Sequence, residues 1–196
     1  MKTRTKALLL TLCAALLVCA TVLATMAFLT ATDSVKNTFT VGNVAITLDE
    51  AKVDANGQAE TPENRVNANT YKLIPGKTYA KDPTIHVAPN SEDCWLFVKL
   101  ENGLVNITGA TTIEDQMTAN GWTVIDDTKN IYAYQSIASA DADVVVFETF
   151  TLAETAAVEG YETAKIVVTA YAVQADGFDT VEEAWNATFG APSASN

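Results

Sequence analysis

Two stretches of this chain are apolar on both faces at once, and that restricts the fold more than any other feature of the sequence. Over residues 94–100, Trp95, Phe97 and Lys99 fall on one side of an extended backbone, and Leu96, Val98 and Leu100 on the other. Over residues 165–174, Ile166, Val168, Ala170 and Ala172 face one way, and Val167, Thr169, Tyr171 and Val173 the other. Side chains alternate across a strand, so period two marks both stretches as β. A strand apolar on both faces is a central one, or is covered from both sides.

Shorter extended segments surround these two. Residues 38–48 alternate, with Phe39 and Val41 on one face. The phase then slips at Gly42-Asn43, and Val44, Ile46 and Leu48 take over. A one-residue slip at glycine predicts a bulge or a tight turn between two strands. Residues 84–87 form a short strand after Pro83, and residues 122–125 and 131–134 form a hairpin around an Asp/Asn-rich turn. Residues 143–152 read as one strand. Leu73-Ile74-Pro75-Gly76 is a turn, and residues 49–70, polar and without period, read as a surface excursion. Two short helices are expected. One spans 113–119 and stops at Asn120-Gly121. The other starts at Asp179, which is followed three residues on by Glu182 in a capping-box pattern, and ends before Gly190. Roughly seven to nine short strands with turns between them predict an all-β fold, an antiparallel β-sandwich or barrel, carrying two short helices. One domain over residues 28–190 accounts for this pattern, and residues 191–196 read as a frayed, disordered tail.

The N-terminus belongs to a different class of segment. Lys2, Arg4 and Lys6 precede an apolar run over residues 7–29, and no acid occurs there. Basic start, apolar run and small residues at a cutting point are the marks of a secretory signal, here a signal helix over residues 1–27. Thr25-Met26-Ala27 places the cut between Ala27 and Phe28, with Ala31 as second choice. The competing reading is an uncleaved anchor, because the 23-residue run exceeds the roughly 20 residues that span a bilayer. Lipidation at Cys19 fits poorly, since Val18 stands where a small residue is needed. Cleavage removes three cations and takes the net charge from −12 to −15. Such an acidic chain is unsuited to nucleic acid or anionic lipid, so membrane contact is expected only through the uncleaved signal. Cys94 is then the one cysteine left, which rules out an intrachain disulfide and assigns stability to core packing; a buried, inert thiol is expected.

Catalytic patterns are missing from the sequence. His86 is the single histidine, so neither a two-histidine zinc set nor a His-Glu-x-x-His motif can be built. A Cys94–His86 dyad has nothing to activate the thiol. No nucleophile elbow or phosphate-binding glycine loop occurs. Acid pairs such as Asp49-Glu50, Glu92-Asp93, Asp126-Asp127 and Asp141/Asp143 lack the spacing of a calcium loop and read as solvated surface. No catalytic, metal or cofactor residue is assigned, and the chain is read as a non-enzyme.

Thr25-Met26-Ala27-Phe28-Leu29-Thr30 runs into Thr32-Asp33-Ser34-Val35-Lys36-Asn37-Thr38-Phe39-Thr40-Val41-Gly42-Asn43-Val44. Leu73-Ile74-Pro75-Gly76 follows, and then Lys81-Asp82. With residues 170–178 and Glu183-Ala184-Trp185, these motifs resemble the TasA/camelysin family of exported bacterial proteins. The resemblance implies a jelly-roll sandwich, processing by a signal peptidase of the SipW type, and secretion to the medium or cell surface of a bacterium. It also implies a role in the biofilm matrix, with self-association into fibres and contact with other matrix components. Fibre-forming relatives assemble by donor-strand exchange. Residues 28–41 would be the donor here, within an N-terminal strand segment over 28–44, and Val35, Phe39 and Val41 would be the pocket fillers. The peptidase activity described for camelysin is not carried over, because the zinc ligands are missing. A monomeric cell-surface binding module on the same fold is the alternative, and a camelysin-like metallopeptidase is the third and weakest reading.

Overall fold

The computed structural model describes residues 43–61 and 63–190 and the backbone of Thr40 and Val41. The expected signal helix, the Ala27–Phe28 cut, Val35, Phe39 and the tail over 191–196 lie outside the described residues.

The described chain is mostly β, in antiparallel sheets, with two helices. In chain order the strands are β1 Thr40–Val41, β2 Ile46–Ala51, β3 Arg65–Val66, β4 Thr78–Ala80, β5 Thr84–Val87 and β6 Cys94–Asn102. Helix α1 Ile113–Ala119 precedes β7 Trp122–Asp126, β8 Ile131–Tyr134, β9 Asp143–Val145, β10 Thr149–Thr151 and β11 Ile166–Gln174. Helix α2 Val181–Phe189 closes the order. One sheet runs β1-β11-β6-β8-β7, a second β3-β2-β5-β9, and β10 pairs with β4. The two strands with double apolar faces, β6 and β11, pair antiparallel in register over their full nine residues, from Ile166–Asn102 to Gln174–Cys94.

That pairing explains their composition. The face bearing Leu96, Val98, Leu100, Ala170 and Ala172 packs against Ile46, Ile85, Val87 and Val144 of the other sheet, forming the main core. The opposite face carries Trp95, Phe97 and Val173, and α2 covers it with Val181 and Ala184. Burying an aromatic or branched side chain contributes about 1.5–3 kcal/mol, so both layers are driven by the same term. Cys94 has no exposed surface, and burial, followed by the charge of Asp93, pushes its thiol up to about 11. It is inert at neutral pH.

Helix α1 falls on the residues the sequence predicts, closed by a capping box in which Thr112 and Asp115 each accept from the other's backbone N–H. Helix α2 starts one residue later than its motif implies. Thr180, not Asp179, is the N-cap and accepts from the Glu183 N–H, while Glu183 reaches back to the Asp179 N–H. The reason is that Val181 and Ala184 must face the sheet, and this sets the helical phase. The turn at Ile74-Pro75-Gly76-Lys77 is of the type II kind: Pro75 leads, Gly76 has φ 74°, and the Lys77 N–H donates to the Ile74 carbonyl.

Two sequence expectations are corrected. Residues 143–152 are two strands, not one. Gln116 of α1 takes the backbone N–H groups of Glu148 and Thr149 on its Oε1 and donates to the Thr149 carbonyl, so those groups leave the sheet. Pro83 produces the matching break between β4 and β5, and its carbonyl accepts from Val146. The slip at residues 42–43 falls between strands of different sheets, β1 and β2. Residues 49–70 are also more than a surface excursion. They begin inside β2 with buried Glu50, pair again at β3, and seat Gly57 against the Tyr79 ring. With φ 71° and no room for a Cβ beside that ring, the position accepts glycine only.

Candidate functional site

Two features can carry function: the outer edge of β11 and a charged network on the second sheet. The edge is built by unequal partners. On its inner side β11 is paired along all nine residues; on its outer side β1 pairs with it in parallel over two, Thr40 with Ala172 and Val41 with Val173. The backbone along 166–170 meets no outer strand among the described residues. Unpaired strand edges bind other strands, and proteins normally blunt them by shortness or by bulges. Other sheet ends here are blunted in that way: β9 has three residues, β3 two, and β7 carries a bulge between Val124 and Asp126. β11 is long and regular.

The face beside this edge is aromatic. Tyr171 of β11 lies 5.4 Å from Phe189 and 6.0 Å from Trp185, and those two helix rings are 4.7 Å apart; Phe97 of β6 is 5.0 Å from Trp185. Phe97 is fully buried, whereas Tyr171, Trp185 and Phe189 are half-buried. In the same layer Trp95 is 8 % exposed, and its indole N–H finds no acceptor among the described residues.

Of the expected site residues, Val41 alone falls on a described strand, where its backbone pairs with Val173. Ala27, Phe28, Val35 and Phe39 lie outside the described residues.

The charged network escaped the sequence reading, which took its acids as solvated surface. Lys81 donates to Glu50 at 2.5 Å, with side chains 11 % and 5 % exposed. Asn69 donates to the other Glu50 oxygen and to the Ala51 carbonyl, and its own oxygen accepts from Val53. Asp82 accepts from the Ala51 N–H and from Arg65, which also grips Asp49 at 2.5 Å. Lys81-Asp82, a pair singled out by motif alone, is thus the clamp that holds residues 49–70 onto the sheet. The available signal was unpaired: Glu50 lies in phase with a strand, and a charge there demands a partner.

His86 stands at the centre of the second sheet. Nε2 lies 2.8 Å from Asp49 of β2, and Nδ1 lies 2.5 Å from Asp143 of β9. A neutral imidazole has one N–H and cannot donate to both carboxylates; the imidazolium can. Burial disfavours the charged ring, but hydrogen bonds to Asp49 and Asp143 and the charges of both outweigh it, raising His86 above the ordinary imidazole value. Burial likewise opposes the charge on Asp49, yet hydrogen bonds from Arg65 and His86 hold it below the usual carboxylate value. A raised histidine value stabilises the fold at low pH: the contribution is full below the unfolded value near 6.5 and is lost as pH rises through the folded value. Because Asp143 is 67 % exposed, about 1 kcal/mol or less is expected. Urea midpoints of the protein and of His86→Gln should therefore differ more at pH 5.5 than at pH 8.5. A difference that stays constant with pH would rule out the charged bridge.

Among the described residues no three His, Cys, Asp or Glu side chains gather as a metal would require, and no helix is long and apolar enough to cross a membrane. No family model, curated protein or solved structure matches this chain.

Proposed function

We propose that this chain is a secreted structural protein of a bacterium, a non-enzymatic subunit of an extracellular matrix fibre on a jelly-roll sandwich. An extended segment from one copy adds to the β11 edge of the next. The observation that carries the reading is the contrast along β11: among the described residues, nine are paired to β6 within and two to β1 without. Strand addition supplies main-chain hydrogen bonds to such an edge and places alternate side chains on one face, where the aromatic layer offers contact. The sequence resemblance to the TasA/camelysin group supports the same reading. So do the signal over residues 1–27, with a SipW-type peptidase cutting at Ala27–Phe28, and donor residues 28–41.

The test is to collect the secreted protein, sequence its N-terminus and image it by electron microscopy. Phe28 as first residue and filaments in the medium are expected. Deleting residues 28–41 behind an intact signal should abolish the filaments and leave secretion in place. Dispersed monomers from the intact chain, or filaments that survive the deletion, would overturn the reading.

A second reading has an observation of its own. Thr40 and Val41 pair with β11 of the same chain, as they would in a monomeric surface module that caps its own edge. In that case the secreted protein sediments as a monomer at every concentration.

A further inference from the structure

Glu50, Lys81 and Asn69 meet in an arrangement that an ion pair alone does not require. Glu50 gives one carboxylate oxygen to each of two nitrogens. Lys81 Nζ donates to Oε2 at 2.5 Å, and Asn69 Nδ2 donates to Oε1 at 2.9 Å. A single carboxylate thus holds an amine and a primary amide side by side. The amide is fixed at its other contacts as well. Its Nδ2 also donates to the Ala51 carbonyl at 2.8 Å, and its Oδ1 accepts from the Val53 N–H at 3.0 Å. Glu50 is 4 % and Lys81 9 % exposed. Tyr71 stands beside them: burial, followed by the charge of Glu50, pushes its phenol up, and its ring packs edge-on against Tyr79 and Phe150.

We propose that this cluster is a self-modification site, at which Lys81 Nζ joins Asn69 Cγ in an intramolecular isopeptide bond with Glu50 as the proton carrier. In water an amine is protonated and an amide is a poor electrophile, so the pair does not react. Here both obstacles are lowered. Two opposite charges are costly where water is excluded, and passing a proton from Nζ to Oε2 removes both. The neutral amine then offers its lone pair to Cγ. The Val53 N–H is already aimed at Oδ1, where negative charge gathers as the tetrahedral centre forms. The flexible four-carbon stem of Lys81 lets Nζ close to the attack distance of about 3–3.5 Å. The Cγ–Nζ bond forms and the Cγ–Nδ2 bond breaks. Glu50 carries protons from Nζ to Nδ2, which departs as an ammonium ion. Glu50 ends as the carboxylate it began as, and nothing is oxidised or reduced. The ion pair and its energetics belong to the chain before the bond closes.

A second trio of the same residue types shows what the first one adds. Glu60 takes Lys52 at 3.1 Å and Asn64 at 2.9 Å, both on Oε2. The Lys52 and Glu60 side chains are 47 % and 33 % exposed, so water solvates both charges and no proton transfer is favoured. This trio is the internal control. The bond at Lys81 closes residues 69–81 into a loop and turns the clamp on residues 49–70 into a covalent one. A cross-link of this kind restricts the unfolded chain as a disulfide does, and Cys94 is the one free cysteine among the described residues. The step occurs once per chain on its own side chains, so it is independent of strand addition and of fibre assembly.

Peptide mapping of the purified full chain by mass spectrometry tests the proposal. Trypsin cannot cut after an acylated lysine. The bonded chain should therefore yield residues 66–72 joined to residues 78–99, lighter than the two parts by one ammonia, about 17 Da. Fragmentation should place the link on Asn69 and Lys81. Asn69→Ala and Lys81→Arg should each abolish the linked species, and Lys52→Arg should leave it in place. Glu50→Gln keeps the shape but cannot take the proton, and should lower the yield at least tenfold while near-ultraviolet dichroism matches that of the parent chain. Where that variant does not fold, Glu50→Asp examines the same role, because its shorter reach should slow bond formation at least tenfold. Separate peptides 66–72 and 78–81 from the folded parent chain, with no linked species after prolonged incubation, would overturn the proposal. A linked species formed equally well by Glu50→Gln would overturn the part assigned to Glu50.

Discussion

Replacing Lys81 with alanine is expected to destabilise the fold by about 3–5 kcal/mol, because it strands the Glu50 carboxylate in a site that excludes water. Glu50 is 4 % exposed and takes a 2.5 Å contact from Lys81 on one oxygen and Asn69 on the other. Removing the cation leaves a single neutral donor to balance a buried charge. Most of the loss is thus the penalty on the partner left behind, and not the worth of the pair itself. The double replacement Glu50→Leu with Lys81→Met removes both charges and should regain most of the stability. Urea unfolding of the single and double variants measures this directly. A Lys81→Ala loss below about 1 kcal/mol, in the range of an exposed ion pair, would show that water reaches Glu50. Asn69 also ties Val53 and Ala51, so the same variant should loosen residues 52–69 first, seen as faster amide exchange there than in β6.

Phe97→Ala is expected to cost a further about 3–5 kcal/mol by a different route, the cavity left by a large buried ring. Phe97 is fully buried on the α2 face of β6 and contacts Trp185 and Phe189. Its loss removes the side chain on which α2 rests. Near-ultraviolet dichroism from Trp185 should weaken, and amides of α2 should exchange before those of the main core. If the midpoint falls by the full amount but α2 stays as protected as β6, the two layers unfold as one unit and the separate-layer picture fails. The consequence for function is concrete. The aromatic face next to the β11 edge exists only while α2 is docked, so this variant should also weaken whatever that edge binds.

Much of the fold is legible locally. Period two marks β6 and β11 as strands with two apolar faces, and both are covered twice, by the opposite sheet and by α2. Asn120-Gly121 marks the end of α1, and Pro75-Gly76 announces its turn, because helix ends and turns are satisfied by residues within four positions. Where the reading fails, the cause is contact at a distance. Residues 143–152 look like one strand until Gln116, over thirty positions earlier, takes two of their N–H groups. The acids at 49 and 50 look solvated because their partners come from elsewhere in the chain: Arg65 from β3, His86 from β5, and Lys81 from the link between β4 and β5.

Consecutive residues alone specify that this chain alternates as β, that its two longest strands need covering on both faces, and that residues 7–29 form an apolar run behind a basic start. The packing of strands against one another sets which strand borders β11 among the described residues, which face of the large sheet is aromatic, and which charges meet. Glu50 finds Lys81 across 31 positions, and His86 finds Asp143 across 57. Alternation is a property of each strand's own backbone and is written into consecutive residues. An edge or an ion pair is a property of which strands lie side by side, and no single strand carries that information.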